Sequence, residues 1–503
     1  MRRIPIDIVV LMLATTACAG PGVLVAGEAA LNPEPPAPVV TVSVLAGDDR
    51  TAVTNAEVVI DGGGSSTSET GTLELEWRDL PIQLAASAPG FEAAAASVTE
   101  YPEATEGAYE LVLEPLILEG SVVGPDGTPL PHTTVALNGQ DAKTDAQGRF
   151  TLTRALAGEV TATRPAWEPA TMAWDGQTPS VEVQMQPRDI RALRVSGDKA
   201  ASPQVWQELM SLVDQSTINA LVIDTKDESG WVSHESRVGT VEEIGALNVG
   251  HLYDVEQVIA DMDAKDLYKI TRIVVFQDNF LARAKPDLAV RNEDTGEPWM
   301  NEKGIRWLDA TDRNSWAYAL ELAEEACDLG FDEIQFDYIR FPSDGDITTV
   351  QTDGPYNAEN RTVTVKAFLD EAYALLNPMG CAVAADIFAI TLTSETDEGI
   401  GQRPEVLASS VDVLSPMIYT YTYGRGWGGY EDPNEHPVEL VSMALDGGIP
   451  KLEGHAIYRP WIQTWQLDAG EINSVQDVVE ERGLGWMIWS ANTQYDMSFL
   501  PPE

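Results

Sequence analysis

The chain has 503 residues, 44% of them hydrophobic, with 31 basic side chains against 80 acidic ones and a net charge of −49. The length suits about three domains, and the composition is that of a globular protein, not a disordered one. So acidic a surface repels nucleic acid and anionic lipid head groups, which argues against both as partners and suits a neutral substrate.

Met1-Arg2-Arg3 precedes an apolar run from Ile8 to Ala17. This reads as a signal peptide over residues 1–18, too short to span a bilayer as a mature helix. Thr15-Thr16-Ala17-Cys18 has the form of a bacterial lipobox with Thr15 where Leu is usual, so Cys18 is the expected lipidation site. Cleavage at the small-x-small run Ala17-Cys18-Ala19 is the alternative. The protein is therefore expected outside the cell or on its surface, touching the membrane only through that lipid. Residues 19–38 are rich in Gly, Ala and Pro and read as an extended tether.

Residues 39–115 show short alternating strands, such as Val40–Val44 and Ala56–Ile60, broken by Gly-rich turns. The pattern predicts a β-sandwich module. Residues 116–187 repeat the plan, and Asn55–Ile60 aligns with His132–Leu137 as an internal repeat. In the second unit Gly120-Ser121-Val122 is followed by Pro125-Asp126-Gly127-Thr128-Pro129-Leu130 and by Thr144-Asp145-Ala146-Gln147-Gly148-Arg149-Phe150. This unit resembles carboxypeptidase regulatory-like modules, which implies a seven-stranded spacer or binding domain. His132 reads there as a solvent-facing strand residue.

From residue 188 to 503 apolar strands alternate with amphipathic helices. Strands are expected at Ile190–Val195, Asn219–Asp224, Ile270–Gln277, Glu333–Phe341, Cys381–Ile387, Val411–Ile418, Leu452–Tyr458 and Leu484–Trp489. Helices are expected at Pro203–Gln215, Val255–Lys265, Trp316–Leu329, Thr362–Leu376, Pro437–Leu445 and Ile472–Glu481. This count predicts a (β/α)₈ TIM barrel, an α/β fold behind two all-β modules. Cys327 and Cys381 read as two buried small apolar side chains, with a disulfide as the alternative that export would allow.

In such a barrel, reactive groups sit at the C-terminal strand ends. There the sequence places Asp224 and Lys226, Asp278, Asp337 and Arg340, Asp386, Tyr419 and Tyr421, His455, Arg459 and Trp461, and Trp489. Strand alternation puts Gln335, Asp337 and Ile339 on one face and Phe336, Tyr338 and Arg340 on the other, so Asp337 faces the mouth. Asp386 stands at the same height on the next strand. Two carboxylates facing one cleft are the equipment of glycosidic bond cleavage, one as nucleophile or base and the other as acid. The competing reading makes both structural, paired with Lys226, Arg340 or Arg459. Trp427, on a Gly-rich loop, reads as a sugar-stacking platform, and Trp461 and Trp489 as further aromatic surfaces.

The run Gly330-Phe331-Asp332-Glu333-Ile334-Gln335-Phe336-Asp337-Tyr338-Ile339-Arg340-Phe341-Pro342-Ser343-Asp344-Gly345 resembles a bacterial family of glycoside hydrolases formerly filed as a domain of unknown function and distantly similar to α-amylase barrels. Asn219–Gly230, Arg272–Asp278, Arg459–Gln463 and Gly485–Trp489 resemble its other strand motifs, in order, over about residues 190–500. The resemblance implies Asp337 as the nucleophile and Asp386 as the candidate acid, with Asp where the amylase pattern has Glu; Asp278 is the rival acid. The expected function is that of an exported glycoside hydrolase acting on a poly- or oligosaccharide. The alternatives are a catalytically inactive glycan-binding barrel and a scaffold acting through its modules. No cofactor is expected, and Asp344-Gly345-Asp346 lacks the remaining ligands of a calcium loop, so no metal is either. The sequence indicates no oligomeric state.

Overall fold

A computed structural model describes residues 39–61, 65–76, 80–100 and 108–502. The expected signal peptide, Cys18 and the tether lie outside the described residues. Among the described residues, no helix is long and apolar enough to cross a membrane.

The chain divides into two compact units, one reaching to Glu114 apart from residues 89–91, and the other holding Pro115–Glu503. In the first, Val39–Ala46 pairs antiparallel with Thr72–Glu76 and parallel with Ala108–Leu113. A second sheet runs in the order Ser65–Ser68, Ala56–Ile60, Ile82–Ser87, Ala94–Val98. The β-rich start of the second unit has the same connectivity. Ile117–Val123 pairs antiparallel with Arg149–Thr153 and parallel with Ser180–Gln184. Its other sheet orders Gln140–Lys143, Thr134–Leu137, Gly158–Thr163, Ala170–Trp174. The aligned residues Asn55 and His132 both take the left-handed conformation, with φ of 56° and 58°. His132 is thus a turn residue before its strand, not a strand residue.

The barrel strands are β1 (Arg191–Val195), β2 (Ala220–Lys226), β3 (Tyr268–Val274), β4 (Glu333–Asp337), β5 (Ala382–Phe388), β6 (Val413–Ile418), β7 (Ile457–Tyr458, resuming at Trp461–Gln463) and β8 (Trp486–Trp489). Each is parallel to its neighbours, and β8 pairs with β1, so the sheet closes. Helices Pro203–Val213, Val255–Asp263, Ala317–Leu329, Ala358–Leu376, Pro437–Gly448 and Ala469–Glu480 fill the connections, while short turns of helix, Ile390–Thr393 and Pro404–Leu407, serve between β5 and β6. Local sequence sets their ends. Pro203 occupies the first turn of its helix, Gly330 ends another at φ 105°, and Asp468 with Glu471 forms a capping box.

Outward strand residues such as Ile223, Ile273, Phe336 and Val383 join the helices in the main core. The barrel interior is polar along β4. At the lower end Glu333 is paired with Arg459 at 2.7 Å. One layer up, Gln335 donates to Ser415 at 3.1 Å. Asp337 crowns the column. The lower end is not bare: Ala382, Ala384 and Val413 join the core of the adjoining β-module, and Ile457 packs against it. Arg164 of that module meets Asp412 at 3.5 Å and donates to the His455 carbonyl at 2.8 Å. Cys327 and Cys381, expected as separate apolar residues, form a disulfide that ties the helix Ala317–Leu329 to the residue before β5.

Candidate active site

At the C-terminal strand ends, a pocket of about 290 Å³ is lined by Glu228, Arg272, Asp337, Tyr338, Arg340, Asp386, Phe388, Met417, Tyr419, Trp461, Trp465 and Trp489. Its centre is Arg272, an inward-facing arginine in the middle of β3. Its Nε and Nη2 donate to Asp337 Oδ2 at 3.0 and 2.6 Å. Its Nη1 reaches Asp224 at 3.4 Å and Glu228 at 3.3 Å. Asp224 in turn is bound by Arg194 of β1. Both guanidinium groups lie over the Trp489 ring, 4.4 and 4.9 Å from its centroid. A buried cation needs such partners, and together they hold Arg272 rigidly beneath the pocket.

The two carboxylates differ in environment. Asp337 accepts both Arg272 bonds on one oxygen and the Tyr338 amide on the other, at 2.6 Å. Asp386 is 1% exposed. Its Oδ1 accepts the Trp461 indole N–H at 2.7 Å, whereas Oδ2 lies 4.0 Å from Arg272 Nε and bonds nothing. Burial first, and then the charge of Asp337, push the Asp386 carboxyl well above the usual carboxylate range, against the opposing pull of Arg272 and Trp461. Arg272 Nε thus touches one carboxylate and nears the other, so both face the same space. The Tyr419 hydroxyl is buried there too, without a partner.

A second hollow of about 340 Å³ shares Phe388, Met417 and Tyr419 with the first and continues past Ile390 and Tyr423 to Trp427. Its lining is almost wholly apolar and aromatic.

A family model described as "Putative glycosyl hydrolase domain" matches residues 192–495. The chain belongs to this family. Among solved structures, the glycosyl hydrolase domain chain is similar to a hypothetical protein from Ruminiclostridium thermocellum (36% identity, 39% of this chain and 96% of that one, TM-score 0.35). It is also similar to the glycoside hydrolase domain of PgaB from Bordetella bronchiseptica (12%, 61% and 95%, TM-score 0.44) and to that of PelA from Pseudomonas aeruginosa (11%, 61% and 97%, TM-score 0.37). No curated protein sequence matches.

In this glycosyl hydrolase domain not every rim residue reaches the pocket. Asp278 is fully buried, caps the helix Asn279–Ala284 and pairs with Lys226 at 2.6 Å. Lys226 also donates to the Val274 carbonyl and lies under the Tyr318 ring, so the two satisfy each other away from the pocket. Arg459 and His455 sit at the opposite end of the barrel, the former on Glu333 and the latter beside the β-module. The cause is a misplaced strand: β7 starts at Ile457, after Glu453 and Gly454 at positive φ, so these residues enter it from below. Tyr421 is 51% exposed and lines neither hollow. The expected alternation on β4 stops at Asp337. Tyr338 takes φ 53°, which a non-glycine residue adopts only at a cost of roughly 1–3 kcal/mol. The reversal brings Tyr338 and Arg340 to the pocket and sends Ile339 into the helix-facing core.

Arg194, Arg272 and Glu228 escaped the sequence reading. Their signal was there: an arginine at an inward strand position must find acids nearby. Among the described residues no group of three His, Cys, Asp or Glu side chains is placed to hold a metal.

Proposed function

We propose that the protein is a glycoside hydrolase that cleaves O-glycosidic bonds of a poly- or oligosaccharide, with Asp337 as nucleophile or base and Asp386 as general acid. The observation that carries this reading is the inequality of the two carboxylates. Asp337 bears the hydrogen-bond pattern of an ionised group, held on Arg272. Asp386, buried and with its carboxyl pushed up, is the one inclined to hold a proton, and it has a free oxygen from which to give it. The attacking oxygen, from Asp337 or from a water it activates, bonds the anomeric carbon. The bond to the leaving oxygen breaks, and that oxygen takes the Asp386 proton.

The tryptophan-lined first hollow takes the ring at the scissile bond. The aromatic second hollow, ending on Trp427, takes its neighbour through stacking. On this reading the N-terminal segment exports the protein and Cys18 carries a lipid, so the enzyme works at the cell surface.

The test is release of reducing ends from a panel of glycans by wild type and by Asp337→Asn. A fall of roughly 10²–10⁴-fold with binding retained supports the hydrolase. Tight glycan binding with no release by either protein supports an inactive binding barrel instead.

A further inference from the structure

Five arginines are buried among the described residues: Arg164, Arg194, Arg272, Arg340 and Arg459. Four are ion-paired, with Asp412, Asp224, Asp337 and Glu333 respectively. Arg340 is not. It is 8% exposed, and its hydrogen bonds run only from Nη1, to the Phe341 carbonyl at 3.1 Å and the Ser343 hydroxyl at 2.9 Å. Of the acids near it in sequence, Asp337 is held by Arg272 at 2.6 Å and Asp344 accepts from Asn301 at 2.7 Å. The guanidinium is instead wedged between three rings, those of Trp307, Tyr338 and Phe388, at 4.7, 4.9 and 4.6 Å. Burial holds it below arginine's usual range.

Such a cage fixes a cation's position without neutralising it. In a chain with 80 acidic side chains, a missing counter-ion is not a matter of supply. Arg340 lines the pocket that holds Asp337 and Asp386, and it got there through the left-handed turn at Tyr338. Backbone strain, burial without an ion-pair partner and a place in the pocket lining converge on one residue.

We infer that Arg340 receives an anionic substituent of the substrate, a carboxylate or a sulfate ester on a sugar ring, so that the substrate class is an acidic glycan. This rests on the hydrolase reading only for the word substrate; the recognition itself stands on the pocket. The acidic protein surface does not forbid it. Its field is screened beyond about 8 Å at physiological ionic strength, and within that distance the local cation decides. The planar fork of Nε and Nη2 is suited to two parallel bonds to such a group.

The experiment is binding, read by tryptophan fluorescence, since Trp461, Trp465 and Trp489 line the pocket. The probes are hexuronic acid oligosaccharides, the same oligosaccharides after carboxyl reduction to neutral sugars, and their sulfated derivatives. Wild type is expected to prefer the carboxylated or the sulfated chain over the neutral one by at least about tenfold, and the two acidic arms tell which group is read. In Arg340→Gln the preference disappears. In Arg340→Lys, which keeps the charge and loses the fork, part of it remains, and that variant guards against a Gln variant that does not fold. Equal binding of acidic and neutral chains, no binding of either, or an unchanged preference in Arg340→Gln overturns the inference. Hydrolysis is scored separately: preference without cleavage sinks the hydrolase reading alone, and cleavage of neutral glycans without preference sinks this one alone.

Discussion

The indole N–H of Trp461 lies 2.7 Å from Asp386 Oδ1 and, among the described residues, is the one hydrogen bond that this buried carboxyl receives. The bond favours the ionised form and so works against burial and Asp337. Replacing Trp461 by Phe keeps a ring and removes the donor. The Asp386 carboxyl then rises further, and the alkaline limb of the kcat/KM profile moves to higher pH. A pH–rate profile of Trp461→Phe on one substrate checks this; a limb that stays put means that Asp386 is not the acid.

Asp386→Ala removes the proposed proton donor. Loss on a natural glycoside is expected to be roughly 10²–10⁴-fold. An aryl glycoside with an acidic phenol leaves without protonation, so much of the rate should return on that substrate. Comparing the two substrates separates an acid from a residue that merely shapes the pocket.

Glu333 and Arg459 form a buried pair at the lower end of the barrel, with side chains 0% and 1% exposed. Removing either alone leaves a charge stranded, at a cost of about 3–5 kcal/mol. Replacing both by methionine should cost far less, since the ion pair's desolvation is spared together with its attraction. Thermal unfolding of Glu333→Met, Arg459→Met and the double variant measures this.

Asp412 carries a pH dependence of stability. Burial raises its carboxyl to about 6, with Arg164 opposing. The native state therefore holds this proton more tightly than the unfolded chain, whose value is near 3.8. By linkage the group's contribution to stability is largest below that lower value and is lost as pH rises through about 6. In Asp412→Asn this slope between pH 4 and 6 should flatten, read from urea midpoints at several pH values.

The disulfide closes a loop with a sequence separation of 54. A double Cys327→Ala, Cys381→Ala variant should lose roughly 2–4 kcal/mol. Reductant should lower the Tm of the wild type and leave that of the variant unchanged.

Much of this was legible beforehand wherever a side chain's fate is settled by its own strand. Phe336 against Asp337, or Ile273 against Arg272, obey alternation, and apolar runs marked all eight strands. Asp278 defied the reading because a carboxylate at a strand end looks the same whether it faces a pocket or caps the next helix; only the fold shows Lys226 beside it. His455 and Arg459 were misassigned because Leu452–Tyr458 is apolar enough for a strand, while the Glu453–Gly454 turn that delays β7 has no apolar signature. Arg340 reached the pocket through a backbone reversal at Tyr338, and tyrosine does not advertise positive φ. The Cys327–Cys381 bond depends on where a helix end meets a neighbouring strand, which periodicity does not encode.

The seam where Ala382, Ala384 and Val413 merge with the β-module bears on any attempt to trim the protein. A fragment cut to the hydrolase match alone would bare an oily underside and strand Asp412 without Arg164, inviting aggregation however sound its upper rim. The shortest soluble catalyst should instead begin near Pro115, carrying its inherited plinth along.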